Sequence, residues 1–354
     1  MQSRRNYKRV VVKIGSSLFA TDKSKLDTGL LGQLAGQISD LIKDGKEVVV
    51  VSSGAIALGM SILKLASRPK ELQYLQAAAA IGQHELMHAY RCALNAYGLN
   101  CAQLLLTWDD FSDRKRYLNA KNTLNTLLKL KCVPVVNEND TVSTEEIKFG
   151  DNDRLSALVS ILVGGELLII LSDVDGLLDK NKKVIRLVDK ITSEIKLLAC
   201  PTNKKACVGG MITKIEAARI AVDSGIPCVI ANGRDKGIVS VLANDPFSRG
   251  SLFLPKQKML DAKKRWMAFG TKAKGKIVID DGAKKALVDK KSLLAVGVVA
   301  CEGNFCSGDI VSVCDQKNCE IARGKVGLAC RELDKVKGGR FPEEVIHRDN
   351  LVIL

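Results

Sequence analysis

The sequence lacks the long hydrophobic run that would indicate a membrane span. Its longest apolar stretch, Leu158 to Leu171, is interrupted by Gly164-Gly165-Glu166 and is shorter than the roughly 20 residues that cross a bilayer. The basic N-terminal segment, Met1 to Arg9, leads into a short apolar run that contains Lys13. It has neither the apolar segment nor the small-residue cleavage site of a signal peptide. We therefore expect a cytoplasmic protein with no membrane association.

Closely spaced cysteine pairs, the usual ligands of structural zinc, are also missing. The 11 cysteines include no CxxC pair, and the three histidines (His84, His88 and His347) lie outside the cysteine-rich tail. The order His-Glu-Leu-Met-His at residues 84–88 is not that of a zinc protease. This pattern disfavours a structural zinc site. We expect reduced thiols that pack as small apolar residues.

Internal repeats, low-complexity tracts and a Walker phosphate-binding loop are absent, since no GxxxxGK[ST] occurs. Positive charge, in contrast, is abundant: 54 Lys and Arg residues against 39 Asp and Glu give a net charge of +15. This balance favours anionic partners such as nucleotides, carboxylates or RNA, without choosing among them. At 354 residues, with 46% hydrophobic residues, the chain is long enough for a large core and two domains.

Alternating strand and helix patterns predict an α/β fold with a mainly parallel sheet between layers of helices. Continuous Val/Ile/Leu runs indicate buried strands, and the segments between them have helical periodicity. The predicted strands are Arg9–Ile14, Glu47–Ser52, Leu99–Leu105, Cys132–Val136, Leu167–Leu171 and Cys228–Ala231. The predicted helices are Leu26–Lys43, Glu71–Tyr97, Asn119–Lys131, Arg154–Val163 and Thr213–Ser224.

Small, hydroxylic or charged residues follow nearly every predicted strand. The strand exits read Lys13-Ile14-Gly15-Ser16-Ser17, Ser52-Ser53-Gly54-Ala55, Asn137-Glu138-Asn139-Asp140, Ser172-Asp173 and Asn232-Gly233. In open α/β sheets, ligands bind beyond the carboxyl ends of the strands. A second acidic-amide cluster, Gly150 to Asp153, opens a predicted helix. Each cluster alone could consist of turn and cap residues, whereas five polar exits together predict a site for a small charged ligand.

The pattern changes near residue 255. Residues 256–276 hold eight basic residues and one acid, Asp261, which is typical of a linker or a basic surface strip. Short strand-like runs with Gly-rich turns follow and predict a small β-barrel-like domain of about 80 residues. These runs are Lys276–Ile279, Leu294–Ala300, Asp309–Val313, Ile321–Val326 and Asn350–Leu354. We expect a first domain over residues 1–255, a basic linker over 256–272 and a second domain over 273–354.

Two glycine-containing segments have the chemistry to approach phosphates closely. Lys13-Ile14-Gly15-Ser16 supplies a cation, a glycine and a hydroxyl at a strand exit, and Val208 to Lys214 supplies a flexible loop that enters a helix. Backbone N–H groups at a helix start favour phosphate oxygens, and glycine permits the loop conformation. Either turn alone is weak evidence, because most such turns only connect elements.

In combination, these motifs resemble the amino acid kinase family, and in particular its glutamate-phosphorylating members. The matching segments are Val12–Ser17, Val51–Ala57, Val136–Asp140, Glu146–Asp153 and Gly209–Lys214. Lys263–Trp266 and Gly303–Asp309 resemble the C-terminal PUA domain of the bacterial members. The resemblance covers nearly the whole chain. It implies an amino acid kinase fold followed by a PUA domain.

The resemblance implies ATP-dependent phosphorylation of the side-chain carboxylate of L-glutamate to L-glutamyl 5-phosphate, the first step of proline biosynthesis. The nucleophile is already an anion, so catalysis consists of positioning and electrostatic stabilisation. The family pattern makes Lys13 and Lys214 the charge stabilisers, with Lys148 as a third candidate. Asp153 would hold the lysines in place, and Asp151 would do the same or contact Mg²⁺ indirectly. Since Mg²⁺ sits mainly on nucleotide phosphates, we name no metal ligand.

The same resemblance assigns binding residues. Asp140 suits the α-ammonium group of glutamate, and Ser53 and Asn152 suit its carboxylate oxygens. The nucleotide-binding matches are Lys13, Gly15, Ser172, Asp173, Val208, Gly209, Gly210, Met211, Ile212, Thr213 and Lys214. The family's loop commonly reads Gly-Thr-Gly-Gly-Met, whereas Cys207-Val208 stands here in place of Gly-Thr.

Two alternatives remain open from the sequence. One is a sister kinase acting on N-acetylglutamate, aspartate or a nucleoside monophosphate; the two acidic-amide clusters and the PUA-like tail favour free glutamate. The other is an RNA-binding protein, because PUA domains typically bind RNA and the basic strip could track phosphates. The tail from Lys272 holds 15 basic and 12 acidic residues and few aromatics, so RNA binding is not expected.

The resemblance also implies regulation and assembly. We expect feedback inhibition by proline through competition at the glutamate pocket, and a homo-oligomer. The predicted helix Glu71–Tyr97 and a predicted loop, Ser112–Asn119, would border that pocket or a subunit contact.

Overall fold

The computed structural model describes residues 6–19, 26–143, 151–199, 210–255, 262–271 and 273–354, with only the backbone of Asp151 and Ala262. The chain divides into two compact units, one of residues 1–110 and 114–259 and one of residues 111–113 and 260–354. Within the described ranges, no helix combines the length and apolar character needed to cross a bilayer.

An eight-stranded sheet forms the centre of the first unit. Its strands are β1 (Arg9–Ile14), β2 (Glu47–Val51), β3 (Cys101–Leu106), β4 (Val133–Glu138), β5 (Leu167–Ser172), β6 (Leu187–Val188), β7 (Cys228–Asn232) and β8 (Ser251–Phe253). They lie in the order β3-β4-β2-β1-β5-β7-β8-β6. Every neighbouring pair is parallel except β7 and β8. The mainly parallel sheet predicted from the sequence is therefore confirmed.

Helices cover the sheet on both faces. The α-helices described between residues 16 and 244 are α1 (Ser16–Phe19), α2 (Thr28–Lys43), α3 (Ala55–Ile62), α4 (Leu72–Asn95), α5 (Trp108–Ser112), α6 (Arg114–Lys129), α7 (Asp151–Val163), α8 (Ser193–Leu198), α9 (Met211–Asp223) and α10 (Ile238–Asn244). Residues of α2, α4 and α10 share one core with alternate residues of the central strands. α7 packs along β1, β2, β4 and β5, and α9 packs on β7. Because strand side chains alternate between faces, the central strands are apolar throughout.

The prediction of a loop at Ser112–Asn119 is wrong, because most of this segment is helical. α5 ends at Ser112, and α6 begins at Arg114, five residues before the predicted start of that helix. The buried residues of α6 are Tyr117, Leu124 and Leu128. Tyr117 lies two turns before Leu124 and extends the buried face of the helix toward its N-terminus. Charged residues on both sides of Tyr117 hide this periodicity in the sequence.

The second unit contains a five-stranded sheet in the order β11-β9-β12-β13-β15 and a two-stranded pair of β10 and β14. Its pairings are antiparallel except that of β9 with β12. The strands are β9 (Gly275–Ile279), β10 (Leu293–Leu294), β11 (Val298–Gly303), β12 (Ile310–Cys314), β13 (Glu320–Lys325), β14 (Glu344–Ile346) and β15 (Leu351–Ile353). Three helices accompany them: α11 (Ala262–Arg265), α12 (Asp281–Val288) and α13 (Cys330–Val336).

Two sequence predictions in this unit need correction. Part of the predicted linker is helical, because α11 runs directly into a π-helical turn, Trp266–Gly270. Met267 and Ala268 in that turn are buried in a cluster with Ile310 and Val352, so the segment belongs to a core. The predicted strand Leu294–Ala300 is interrupted by a 3₁₀ turn at residues 295–297.

Two glycines let α3 and α4 pack with their backbones in contact. A Cβ atom on Gly59 would lie 1.8 Å from the carbonyl oxygen of Ala78, and one on Gly82 would lie 1.8 Å from that of Ala55. No real side chain tolerates such distances, so both positions require glycine. The contact fixes the first turn of α3, which directly follows the exit of β2.

We predict that Gly82→Ala lowers the free energy of unfolding by about 3 kcal/mol or more, because the new methyl group would push the two helices apart. Gly32→Ala on α2 is the matched control, since a Cβ there meets no atom within 4 Å. That change should stabilise the protein by roughly 0.5–1 kcal/mol, the usual effect of replacing a helical glycine. Urea unfolding followed by circular dichroism measures both; equal effects of the two substitutions would contradict the close contact.

Candidate active site

A cavity of about 310 Å³ lies beyond the carboxyl ends of the central strands of the first unit. Its walls come from the exits of β1, β2, β4 and β5 and from the first turns of α7 and α9. In parallel α/β sheets this edge is where ligands bind. The predicted site residues that line it are Lys13, Gly15, Ser53, Asp140, Asn152, Asp153, Ser172, Asp173, Gly210, Met211, Thr213 and Lys214.

Other predicted residues are not part of this wall. Ile212 lies half-buried on α9 and does not line the cavity. Val208, Gly209 and Lys148 fall outside the described residues. Asp151 is described only as the first residue of α7, without its side chain.

Asp153 pairs with both lysines that the sequence singles out. Its Oδ1 forms an ion pair with Lys13 Nζ, and its Oδ2 lies 3.2 Å from Lys214 Nζ. The three residues come from α7, β1 and α9 and are at most 9% exposed. Water therefore screens these charges only weakly. One carboxylate between two ammonium groups leaves one positive charge of this cluster uncancelled.

Burial and pairing act in opposite directions on these groups. Burial is the largest effect on Lys13 and lowers its pKa; the charge of Asp153 opposes the shift, and Lys214 adds to it. Burial alone would raise the pKa of Asp153, but Lys13 and Lys214 hold it below its usual value, helped by a hydrogen bond from Thr213. Asp153 is therefore an anion at neutral pH.

Thr213 supports this cluster from the start of α9. Its hydroxyl donates to Asp153 Oδ2 at 2.7 Å and lies 3.0 Å from the carbonyl oxygen of Gly210. Lys214 Nζ is 3.4 Å from the same carbonyl oxygen. Gly210 precedes α9 with a φ of +77°, in the region that favours glycine. The turn thus fixes the carboxylate and one lysine together.

Asn152 connects the two acidic-amide clusters. Its Oδ1 accepts a hydrogen bond from the backbone N–H of Glu138 at 3.3 Å, so the start of α7 is held against the end of β4. Asn152 is adjacent in sequence to Asp153, which places an amide beside the paired carboxylate. Ser53, which is 7% exposed, and Asp140 line the same cavity.

Asp173 lies at the exit of β5, where two hydroxyls hold it. Ser17 and Ser172 donate to its Oδ1 at 3.0 and 2.9 Å. Burial raises its pKa, but these hydrogen bonds and the charge of Lys214 outweigh that effect and lower it overall. The cavity therefore carries an ionised carboxylate at a second point of its wall.

Helix N-termini converge on the cavity as well. α3, α7 and α9 all begin at residues in or next to its wall, and Gly54 precedes α3 with a φ of +98°. The first N–H groups of a helix have no intrahelical acceptor, and the helix dipole is positive at this end. Together with Lys13 and Lys214, these groups suit a ligand with negative charge, such as phosphate.

Known proteins resemble the chain along nearly its whole length. Residues 8–232 match the Amino acid kinase family, and residues 275–347 match the PUA domain. The glutamate 5-kinase of Caldanaerobacter subterraneus subsp. tengcongensis is 46% identical over 364 residues, covering 98% of both chains. That of Thermoanaerobacter sp. (strain X514) is 44% identical over 364 residues with the same coverage. That of Pelobacter propionicus is 42% identical over 368 residues, covering 99% of this chain and 98% of the relative.

The chain belongs to the amino acid kinase family. The resemblance seen in the motifs is thereby confirmed, and ATP use follows from membership of a kinase family. The second unit contains the PUA domain. All the residues described in the cavity wall of this amino acid kinase lie within residues 8–232, the range that matches the family.

Sequence reasoning missed several groups that line the cavity, among them Arg68, Asn137 and Ser17. Arg68 precedes Pro69 in the connection between α3 and α4 and carries no motif that would mark it. Asn137 is the first residue of the first acidic-amide cluster, but nothing in the sequence indicates its hydrogen bond to Gln83. No pattern in the sequence indicated that Ser17 hydrogen-bonds Asp173.

The described part of this kinase contains no cluster of three or more His, Cys, Asp or Glu side chains arranged to hold a metal ion. Carboxylates do line the cavity, namely Glu138, Asp140, Asp153 and Asp173. This arrangement fits Mg²⁺, which retains several water or phosphate ligands and needs only one or two carboxylates.

We predict that Asp153→Asn destabilises the protein by about 3–5 kcal/mol at pH 7, because two buried ammonium groups lose their counter-charge. Folding depresses the pKa of Asp153, so its contribution is complete above the ordinary value of 3.8 and is lost as the pH falls below it. The difference between wild type and variant should therefore shrink in acid. Glu216→Gln, an exposed change on α9, is the control and should change stability by less than about 0.5 kcal/mol. Urea titrations between pH 3 and 7 measure the difference; a constant gap would contradict the pairing.

Proposed function

We propose that this kinase transfers the γ-phosphoryl group of ATP to the side-chain carboxylate of L-glutamate, giving L-glutamyl 5-phosphate for proline biosynthesis. The observation that carries the proposal is the pairing of Lys13 and Lys214 with one buried carboxylate in the cavity that also holds Ser53, Asp140 and Asn152. The relatives of 42–46% identity are named glutamate 5-kinase, which supports the same substrate.

Electrostatics is the main obstacle to this reaction. A glutamate carboxylate oxygen attacks the γ-phosphorus, the bond to the β–γ bridging oxygen breaks, and ADP leaves; the carboxylate has no proton to lose. Both reactants are anions, and negative charge spreads over the phosphoryl oxygens in the transition state. Lys13 and Lys214 supply two buried positive charges for it, and Asp153 fixes their positions. Prepositioned charges need no reorganisation during the reaction.

Glutamate would bind by its α-groups at the end of the cavity formed by β2, β4 and α7. Asp140 suits the ammonium group as an anion, while Ser53 and Asn152 have donors for carboxylate oxygens. The hydrogen bond from Glu138 N–H to Asn152 Oδ1 fixes the orientation of that amide. The side-chain carboxylate can then extend toward the two lysines.

ATP would place its phosphates at the starts of α1 and α9, near Gly15 and Gly210. A Cβ on Gly15 would be 3.0 Å from the carbonyl oxygen of Leu171 and 3.7 Å from Lys13 Nζ, so glycine keeps space beside that lysine. Asp173 has the oxygen chemistry to hold, together with the phosphates, a Mg²⁺ ion that would accompany the nucleotide and neutralise part of its charge.

The proposal extends to organisation and regulation. We assign residues 1–255 to the kinase domain, 256–272 to a basic connection whose π-helical turn packs on the second unit, and 273–354 to the PUA domain, in a cytoplasmic homo-oligomer. Proline, which also carries a carboxylate and a positively charged nitrogen, would compete with glutamate for Ser53, Asp140 and Asn152. Kinetic inhibition by proline that glutamate relieves is the expected pattern.

The substrate is tested by coupled ADP release with L-glutamate, N-acetylglutamate, L-aspartate and UMP in parallel, each with Mg²⁺-ATP. We expect turnover with glutamate, at least 100-fold above N-acetylglutamate and UMP in kcat/KM, since a site that pairs the ammonium group rejects compounds without it. L-Aspartate keeps that group but is one methylene shorter, so its kcat/KM should be about 10- to 200-fold lower. Turnover of another acceptor with none of glutamate would overturn the proposal.

Lys13→Ala and Lys214→Ala should each lower kcat about 100- to 1,000-fold, the range seen when one strong transition-state donor is lost. Lys236→Ala is the control, because Lys236 is exposed and lies outside the cavity wall. It should leave kcat unchanged within about twofold. A kcat near that of wild type for either cavity variant would show that its ammonium group does not act in the transition state.

A further inference from the structure

Two free cysteines of the second unit lie next to each other, where α13 begins against β11. Cys301 is on β11, Cys330 is the first residue of α13, and both are half-buried. The Cys301 thiol donates a hydrogen bond to the backbone carbonyl oxygen of Cys330, with 3.6 Å between Sγ and O. The backbone N–H of Cys330 donates to the carbonyl oxygen of Phe305 at 3.0 Å. The start of α13 is therefore fixed beside the end of β11.

The side chain of Cys301 is held from a second direction as well. Its Sγ lies 3.7 Å from Asp334 Oδ1, one turn further along α13, and Lys337 Nζ lies 2.5 Å from the same carboxylate oxygen. Both cysteines also pack against the apolar core of the second unit. These contacts confine Cys301 beneath the first turn of α13, on the side where Cys330 lies.

The surroundings make the two thiols unequal in reactivity. Burial is the largest effect on Cys301, and the hydrogen bond and charge of the neighbouring Cys330 thiol add to it, so that the pKa of Cys301 is raised to about 12. The thiolate is the form that attacks another sulfur atom, so Cys301 is a poor first nucleophile at neutral pH. Cys330 is therefore the thiol that reacts first.

We propose that Cys301 and Cys330 form a modification site, at which a low-molecular-weight disulfide such as oxidised glutathione converts them into an intrachain disulfide. The inference concerns the second unit and does not depend on the acceptor that the kinase phosphorylates. A disulfide forms only between cysteines that are close and whose side chains point toward each other. The interaction between the two thiols meets this requirement.

The first step forms a mixed disulfide on Cys330. The Cys330 thiolate attacks one sulfur of oxidised glutathione, the bond between the two glutathione sulfurs breaks, and one glutathione leaves as a thiolate that takes up a proton. The second step repeats this exchange within the protein. Cys301 loses its proton and attacks the Cys330 sulfur, and the second glutathione leaves. In total, two protein thiols are oxidised, and one glutathione disulfide is reduced to two thiols.

The mixed disulfide itself favours the second step. Once the Cys330 sulfur is bonded to glutathione it can no longer carry charge, so one cause of the raised pKa of Cys301 is removed, while the charge of Lys337 still lowers that pKa. Attack by Cys301 is also intramolecular, which gives this thiol a high effective concentration. The mixed disulfide should therefore not accumulate in the wild-type protein.

Peptide mapping of the full-length protein tests the proposal directly. The reduced protein is treated with an excess of oxidised glutathione, the remaining thiols are alkylated, and the protein is digested with trypsin and a glutamate-specific protease. Cleavage after Glu302 separates Cys301 from Cys306, so peptides 292–302 and 326–331 each contain a single cysteine. We expect mass spectrometry to find these two peptides joined, and dithiothreitol to separate them.

Single variants test the order of the two steps. Cys301→Ser removes the second nucleophile, so glutathione on Cys330 should accumulate at least about tenfold over wild type. Cys330→Ser should leave Cys301 without glutathione. Cys319→Ser is the matched control, because Cys319 is an exposed thiol of the same unit, and it should leave the joined peptides unchanged. Circular dichroism confirms that each variant is folded, and the wild-type map decides the question for any variant that is not.

Stability gives a second measurement. The new bond would join β11 to α13 and restrict the unfolded chain, so the oxidised wild-type protein should unfold at higher urea than the reduced protein. Dithiothreitol should reverse this shift, and Cys301→Ser should not show it.

Three results would overturn the inference. One is a wild-type protein in which Cys319 carries glutathione while Cys301 and Cys330 are both alkylated, because the oxidant then reached the unit without using the pair. Another is a bond from Cys330 to Cys306 in place of Cys301. The third is Cys301→Ser protein in which Cys330 carries no glutathione.

Discussion

The site depends on one buried carboxylate that binds two ammonium groups. Without Asp153, Lys13 and Lys214 would repel each other in surroundings that screen charge weakly, and neither would have a fixed position. With it, the cluster retains positive charge, because two cations share one anion. Lys13 lies on a strand and Lys214 on a helix 201 residues further along the sequence, so the ion pairs also join β1, α7 and α9. Structure and chemistry therefore rest on the same contacts.

The topology of the sheet explains why these residues meet. β1 and β5 are adjacent at its centre, and the loops after β1, β2, β4 and β5 open on the same edge. α7 and α9 pack against each other on one face, which brings Asp153 and Lys214 together beneath that edge. Each helix begins at the cavity, so backbone N–H groups add to the attraction of the lysines for anions. The parallel arrangement thus brings the positive N-terminal ends of helices, as well as charged side chains, to the cavity.

Much of the fold was readable from the sequence, because uninterrupted apolar strands and periodic helices leave few alternatives. Four of the five polar strand exits line the cavity, whereas Asn232-Gly233 after β7 does not. Other features depend on distances that no local pattern records. α6 begins earlier than the sequence predicts, because Tyr117 is buried, and the burial of that residue depends on the tertiary core. Thr213, expected at a nucleotide, hydrogen-bonds Asp153, and the hydrogen bond from Asn137 to Gln83 becomes visible only when its neighbours are known. The buried π-helical turn Trp266–Gly270 could not be predicted from the sequence, because basic residues surround it.

The close passage of α3 and α4 has a consequence for how this enzyme can diverge. Gly82, which contacts the backbone of α3, and Gln83, which accepts the hydrogen bond from Asn137, are consecutive residues of α4. A shift of α4 therefore displaces both. A sideways slip of α4 small enough to be tolerated by the core would still rotate the Asn137 amide in the cavity wall. Substitutions on the outer surface of α4 can therefore change the shape of the cavity without touching its wall.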